Sequence, residues 1–231
     1  MLVTELSGVR IVELSSCVPK RSEDNLARCV EIYGDEKKAQ SIVKATGIRS
    51  RRVVDEGTSS LDLCVAAAEK LIEGYAKKVG RSAIDVKNGI GAVIQVTFTS
   101  ERAMPCNACQ AQFRLGLSTG IVAFDIGLAC SGYAYGLYVA GRMANALGKM
   151  VLLLDGDAQT PRMDMHDLAT VPVFADAGTA TLVYPDARAL AEGMKEVVKK
   201  GKIAPPDESW KRFTVEKAVE RYEKGIGLPL C

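Results

Sequence analysis

Phe124-Asp125-Ile126-Gly127-Leu128-Ala129-Cys130-Ser131-Gly132-Tyr133-Ala134-Tyr135-Gly136-Leu137 is the stretch whose reading decides the fold. The apolar run from Val122 to Ile126 has the length of a short buried strand. Small residues then make a tight turn, and from Ser131 to Leu147 a helical pattern takes over. That helix carries Tyr133, Leu137, Val139, Ala140 and Met143 between small residues, and is predicted to be buried on most sides. A cysteine stands where it begins. Strand, turn and helix in this order predict an α/β layered fold with a mainly parallel sheet flanked by helices.

Working outward, Ile90 to Phe98 and Met150 to Leu154 read most clearly as buried strands. Shorter strands are expected at Val9 to Leu14, Arg52 to Val54 and Thr179 to Tyr184. Ser59 followed by Asp62 makes a capping box that starts a helix through Leu63, Ala67, Leu71 and Tyr75. Cys106 to Leu115 reads as a helix with Pro105 just outside it. After Tyr184-Pro185 the composition changes. Asp186 to Lys200 is an amphipathic helical pattern stopped by Gly201, and a second one lies near Val215 to Lys224. The chain is therefore expected to divide into a body, residues 1–185, and a helical tail or partner-docking appendage, residues 186–231. Trp210, Phe213 and Tyr222 in that tail offer an aromatic docking face.

The 231 residues are 48% hydrophobic and 25% charged, an ordinary globular composition. A formal net charge of +2 gives no field that would draw nucleic acid or membrane lipid, so neither is expected as a partner. No apolar run reaches the length of a membrane span, and Met1 to Val12 has no signal-peptide pattern, so a cytoplasmic protein is the default. Seven cysteines in apolar contexts read as reduced thiols rather than a disulfide framework. The single histidine, His166, sits in a polar stretch and reads as a loop residue.

Cys130 carries the chemistry. Unpaired N–H groups and the positive end of the helix dipole favour a thiolate beside them. The small neighbours Gly127, Ala129 and Gly132 leave room for a substrate carbonyl to reach the sulfur. The competing reading is an inert, buried cysteine, which most free cysteines are. Cys106-Asn107-Ala108-Cys109 has a redox or half-zinc spacing, but no second ligand pair follows, and plain helix-face cysteines are the stronger reading. Asp155, Asp157, Asp164 and Asp167 read as solvated loop carboxylates, so no metal is expected.

Four segments, in order, resemble the β-ketoacyl-acyl-carrier-protein synthase III group of the thiolase superfamily, over residues 1 to about 185. Lys44 to Arg52 resembles its Thr-Gly-Ile-Arg turn, and Met104-Pro105 with Cys109-Gln110 resembles the segment before its small-residue helix. Asp125 to Leu137 resembles its nucleophile motif, and Phe174 to Ala180 its Phe-Gly-Asp-Gly-Ala-Gly-Ala strand entry. The resemblance implies one half of a pseudo-symmetric thiolase-like fold, with Cys130 taking the acyl group from a coenzyme A or phosphopantetheine thioester and no permanently bound cofactor. It implies an acyl pocket of Phe98, Gln159 and Phe174, with Met104 reaching across a homodimer-like interface. Arg49, Arg51 and Arg52 would meet a phosphopantetheine phosphate or else form a solvated basic turn. Ser41 and Leu168 stand where the family sandwiches an adenine between an aromatic ring and an arginine, which implies an acyl-carrier-protein donor or a differently held coenzyme A. The family takes a histidine and an asparagine from its C-terminal half, and residues 186–231 contain neither. A partner, a second thiolase-like half or a homologous subunit, would then supply them for Claisen-type condensation. Transfer without condensation, or a non-catalytic structural subunit, are the alternatives.

Overall fold

A computed structural model describes residues 8–167 and 169–186. Along the chain run β1 (Val9–Cys17), β2 (Ser22–Asp24), α1 (Asn25–Tyr33), α2 (Glu36–Thr46), β3 (Ser50–Arg52), α3 (Ser60–Val79) and α4 (Ala83–Asn88). They are followed by β4 (Ile90–Val96), α5 (Asn107–Arg114), β5 (Val122–Ile126), α6 (Gly132–Leu147), β6 (Met150–Asp157) and β7 (Ala177–Pro185). Five strands form one sheet in the order β1-β7-β6-β4-β5, and β2 pairs with β3 in a small separate ribbon. Among the described residues, no helix is long and apolar enough to cross a membrane.

The α/β layering is as the sequence predicts, but the sheet is mixed rather than mainly parallel. β4 runs parallel to both β5 and β6, whereas β7 is antiparallel to β6 and β1 antiparallel to β7. Helical crossovers make the parallel pairs. β7 follows β6 with no crossover helix between them, only a loop and a single 3₁₀ turn at Thr160–Arg162, so it returns antiparallel.

β4 is buried along its whole length, which is why its sequence shows a continuous apolar run instead of alternation. Val93 packs into the layer of α3 with Leu71, Ile72 and Leu152, while Ala92, Ile94 and Val96 face Ala140 and Ala144 of α6. At the start of α3, Ser59 Oγ accepts from the Asp62 N–H and the Asp62 carboxylate accepts from the Ser59 N–H, so the capping box is formed. The α3 backbone lies directly on the sheet. A Cβ added to Gly178 of β7 would stand 2.5 Å from the Cys64 nitrogen.

α6 buries one stripe, Gly132, Gly136, Ala140 and Ala144, and not most of its surface; Tyr135 is 60% exposed. Residues four apart share a helix face, so these small side chains let the helix axis approach the sheet closely. A Cβ on Gly136 would lie 2.6 Å from Val96 Cγ2 and 3.0 Å from Leu153 Cδ1. The close approach fixes where the N-terminus of α6 sits relative to the ends of β4 and β6. Cys130 is two residues from that N-terminus.

Four elements are not expected from the sequence: α1, α2, β2 and α4. The predicted strand at Arg52 to Val54 is displaced to β3, Ser50–Arg52, where it pairs with β2. The helical patterns after Asp186 lie outside the described residues.

Candidate active site

The C-terminal ends of β4, β5 and β6 meet at one edge of the sheet, and the chain leaves β4 and β5 to opposite faces. Crevices of this kind are where α/β proteins seat ligands. Here Cys130 lies exposed in the turn between β5 and α6. The turn is closed by the Gly132 N–H donating to the Ala129 carbonyl at 2.7 Å. Helical geometry starts at Gly132, so the cysteine precedes the helix instead of lying in its first turn. Ser131 provides no side-chain cap to that turn, which leaves the dipole end without an intrinsic acceptor.

A cavity of about 350 Å³ opens at this sulfur. Cys130, Phe98, Gln159 and Phe174 all line it, together with Tyr133 and Asp155. Three of the pocket residues expected from the resemblance are thus brought to the cysteine from three separate segments. Met104 is not among the lining residues; it projects from the surface with 83% of its area exposed. Arg49 is not there either. It lines a different hollow with Leu26, Gln40, Val43 and Lys44, between α1 and α2.

Buried and partly buried polar anchors, none of them evident in the sequence, hold the cavity walls. Asp157 Oδ1 accepts from Thr97 Oγ1 at 2.7 Å, from Thr99 Oγ1 at 2.8 Å and from the N–H groups of Phe98 and Thr99 at 3.0 and 3.1 Å. It thereby clamps the segment carrying Phe98 to the end of β6. Asp176 accepts from the N–H groups of Val54 and Thr160 and from Thr160 Oγ1, which fixes the residue next to Gln159. Arg51 is 2% exposed and donates to Asn25 Oδ1, to the Phe174 carbonyl at 2.8 Å and to Glu23. Asn25 in turn donates to the Pro172 carbonyl. Arg51 is therefore a bracket for the Phe174 wall, neither a phosphate contact nor a solvated residue. Arg52 is turned back onto the carbonyls of Pro19 and Lys20.

Asp155 stands in the same cavity. Burial, and then the neighbouring Asp157 charge, push its carboxyl up to about 6. The sequence predicts a solvated loop residue here; instead Asp155 lies within β6 and is partly buried. His166 is exposed and does not line the cavity. Ser41 is exposed on α2, with its hydroxyl donating to the Lys37 carbonyl, and Leu168 lies outside the described residues. Among the described residues, no group of three or more His, Cys, Asp or Glu side chains could hold a metal ion.

With this geometry in place, comparison with known proteins is informative. A family model described as 3-oxoacyl-[acyl-carrier-protein] synthase III matches residues 124–198, which include Cys130 and Phe174. A putative 3-oxoacyl-[acyl-carrier-protein] synthase 3 from Campylobacter jejuni is 37% identical over 150 residues, 64% of this chain and 40% of that protein. The β-ketoacyl-[acyl-carrier-protein] synthase III of Rhodopirellula baltica is 33% identical over 181 residues, 78% of this chain and 48% of that protein. The crystal structure of a 3-oxoacyl-(acyl-carrier protein) synthase from Burkholderia xenovorans superposes with a TM-score of 0.70 at 33% identity, covering 78% of this chain and 49% of that one. The chain spans about half the length of the curated relatives it matches.

Proposed function

We propose, from the premise that this chain is a β-ketoacyl-acyl-carrier-protein synthase III-like member of the thiolase superfamily, that Cys130 is an acyl-accepting nucleophile. The observation that carries the reading is the cavity that Cys130 shares with Phe98, Gln159 and Phe174. In the step envisaged, the sulfur attacks the carbonyl of a coenzyme A or acyl-carrier-protein thioester. A new carbon–sulfur bond forms, the carrier thiol leaves, and the acyl group remains on Cys130 against the two phenylalanines. The cavity is of a size suited to a small ligand.

Claisen-type condensation with an extender needs a base and oxyanion donors beyond the cysteine. We assign these to a second thiolase-like half or homologous subunit, with residues 186–231 as the docking appendage. One fact favours that arrangement: the one histidine, His166, does not line the cavity. Arg49 is kept as a contact for a phosphopantetheine phosphate, at the mouth of its own hollow rather than beside the sulfur. Met104 is assigned to a neighbouring copy's pocket across a homodimer-like interface, in keeping with its exposure.

The same position of His166 favours a second reading, acyl transfer without condensation, because only the transfer step draws on groups this chain places together. Mass spectrometry after incubation with acyl-coenzyme A and acyl-carrier-protein donors tests the assignment. An acyl mass on Cys130 that disappears in Cys130→Ala is the expected result. Adding a malonyl-type extender then separates the two readings, since condensation discharges the acyl group as a β-ketoacyl product. No adduct under any of these conditions would leave a structural subunit as the better description.

A further inference from the structure

Apart from Cys130, six further cysteines occur in the sequence, and two of them are placed in a way that acyl transfer does not use. Cys106 occupies the cap position of α5 and Cys109 the third residue of that helix. Their sulfur atoms are 3.4 Å apart. Cys29 and Cys64 are buried, whereas Cys106 and Cys109 are both partly exposed.

The local backbone explains the approach. Residues three apart at the start of a helix fall on one side of it. This first turn is also pinned from outside: the Asp125 carboxylate accepts from the Asn107 N–H at 2.8 Å and from the Ala108 N–H at 2.7 Å. The turn is thus held by β5 and not by its own cap, because Cys106 makes no side-chain cap bond. The sulfurs already lie within van der Waals contact, and a disulfide would bring them to about 2.0 Å.

We propose that Cys106 and Cys109 are a modification site: a dithiol that converts reversibly to an intramolecular disulfide by exchange with a low-molecular-weight disulfide. In the first step one thiol, as its thiolate, attacks a sulfur of the external disulfide. A mixed disulfide forms, and one external thiol leaves with the proton that the attacking thiol gave up. In the second step the neighbouring sulfur attacks the protein-side sulfur of the mixed disulfide and releases the second external thiol. Two protein thiols are oxidised and one external disulfide is reduced to two thiols, so atoms and electrons balance. Burial, reinforced by the Asp125 charge, holds the Cys106 thiol above its ordinary range, which lowers its thiolate fraction and slows its attack.

Glutathione and glutathione disulfide at a series of ratios serve as the probe, on the full chain under native conditions. After acid quench and alkylation, peptide mapping is expected to find a Cys106–Cys109 link that rises with the ratio and reverses on adding reduced glutathione. Cys29 and Cys64 are expected to stay alkylatable only after unfolding. In Cys106→Ser, Cys109 is expected to stop at the glutathione mixed disulfide, which identifies its partner. The proposal is overturned if, with the fold intact by circular dichroism, both residues are recovered as free thiols or as separate glutathione adducts at the most oxidising ratio. It is equally overturned if either residue pairs with a different cysteine. Neither result bears on acylation of Cys130, which is read separately by its acyl mass.

Discussion

Gly132 of α6 and Val96 of β4 are so close that a Cβ on the glycine would stand 2.4 Å from Val96 Cγ1. Real Cβ atoms do not come so near. Val96 is β-branched, buried and at the end of β4, an interior strand of the sheet, so it has little freedom to yield. Gly132→Ala is expected to cost about 1–3 kcal/mol, the usual range for overpacking a core. The helix-propensity gain of alanine is small at the first residue of a helix. Because Cys130 is two residues away, acyl loading is expected to fall along with stability. Val96→Ala in the same chain should recover much of both. Urea unfolding of the two single variants and the double variant measures the coupling; simple additivity of the two costs would show that the contact does not set the helix position.

Asp155 leads to a pH-dependence with a definite sign. Its folded value is about 6 against an ordinary 3.8, so the folded state binds the proton more tightly than the unfolded one. Stability from this group is therefore complete below about pH 4, declines as pH rises toward 6, and is lost above. The facing groups do not reverse this. Asp157 is a second carboxylate, and the Cys64 thiol on α3 is pushed up to about 12 by burial. Asp155→Asn removes the penalty, so at pH 7.5 the variant is expected to be more stable by about 1 kcal/mol, a figure reduced for the solvent that reaches the group. At pH 4 the difference should vanish. Chemical denaturation at both pH values checks it, and an equal gain at the two would mean that ionisation is not its cause.

Arg51 shows most clearly what the sequence could not reveal. Its partners Asn25, Glu23 and Phe174 are 26, 28 and 123 residues away, and no local pattern connects them. Within Arg49 to Arg52 the arginines look alike, and only burial separates the bracket from the two that face outward. The same holds for Asp157 and Asp176, whose donors come from distant loops. By contrast, the β5–Cys130–α6 junction and the α3 capping box were legible because their logic is confined to a few consecutive residues. α1, α2, β2 and α4 are not expected from the sequence, which before α3 offers only strands at Val9 to Leu14 and Arg52 to Val54 and the turn at Lys44 to Arg52. The antiparallel return of β7 was invisible because the loop before it carries no hairpin signature.

Arg51→Met tests the bracket. It would leave Asn25 Oδ1 buried without its donor and free the Phe174 carbonyl. Breaking a buried charged network by removing one partner costs about 3 kcal/mol. Arg51→Lys keeps the charge but not the fork, and is expected to fall between. Unfolding midpoints order the three proteins. If the role is to hold the Phe174 wall, acyl loading of Cys130 should slow in Arg51→Lys even at temperatures where the variant is fully folded.

Met104 separates a structural side chain from a shared one. With 83% of its surface exposed, it makes little packing contribution within its own chain. Met104→Ala is accordingly expected to leave stability within about 0.5 kcal/mol of the parent. If a neighbouring copy uses this side chain as the floor of its pocket, the truncation enlarges that pocket. Longer acyl groups should then gain on shorter ones in a competition for Cys130 by roughly the value of one or two methylenes, about 1–3 kcal/mol or 10- to 200-fold in relative loading. The effect should appear only at protein concentrations where the chain self-associates, because a monomer offers its Met104 to water alone. Loading competition measured alongside sedimentation at two concentrations reads both quantities. A selectivity change that persists in the monomer would place Met104 over its own cavity and remove the argument for a shared pocket.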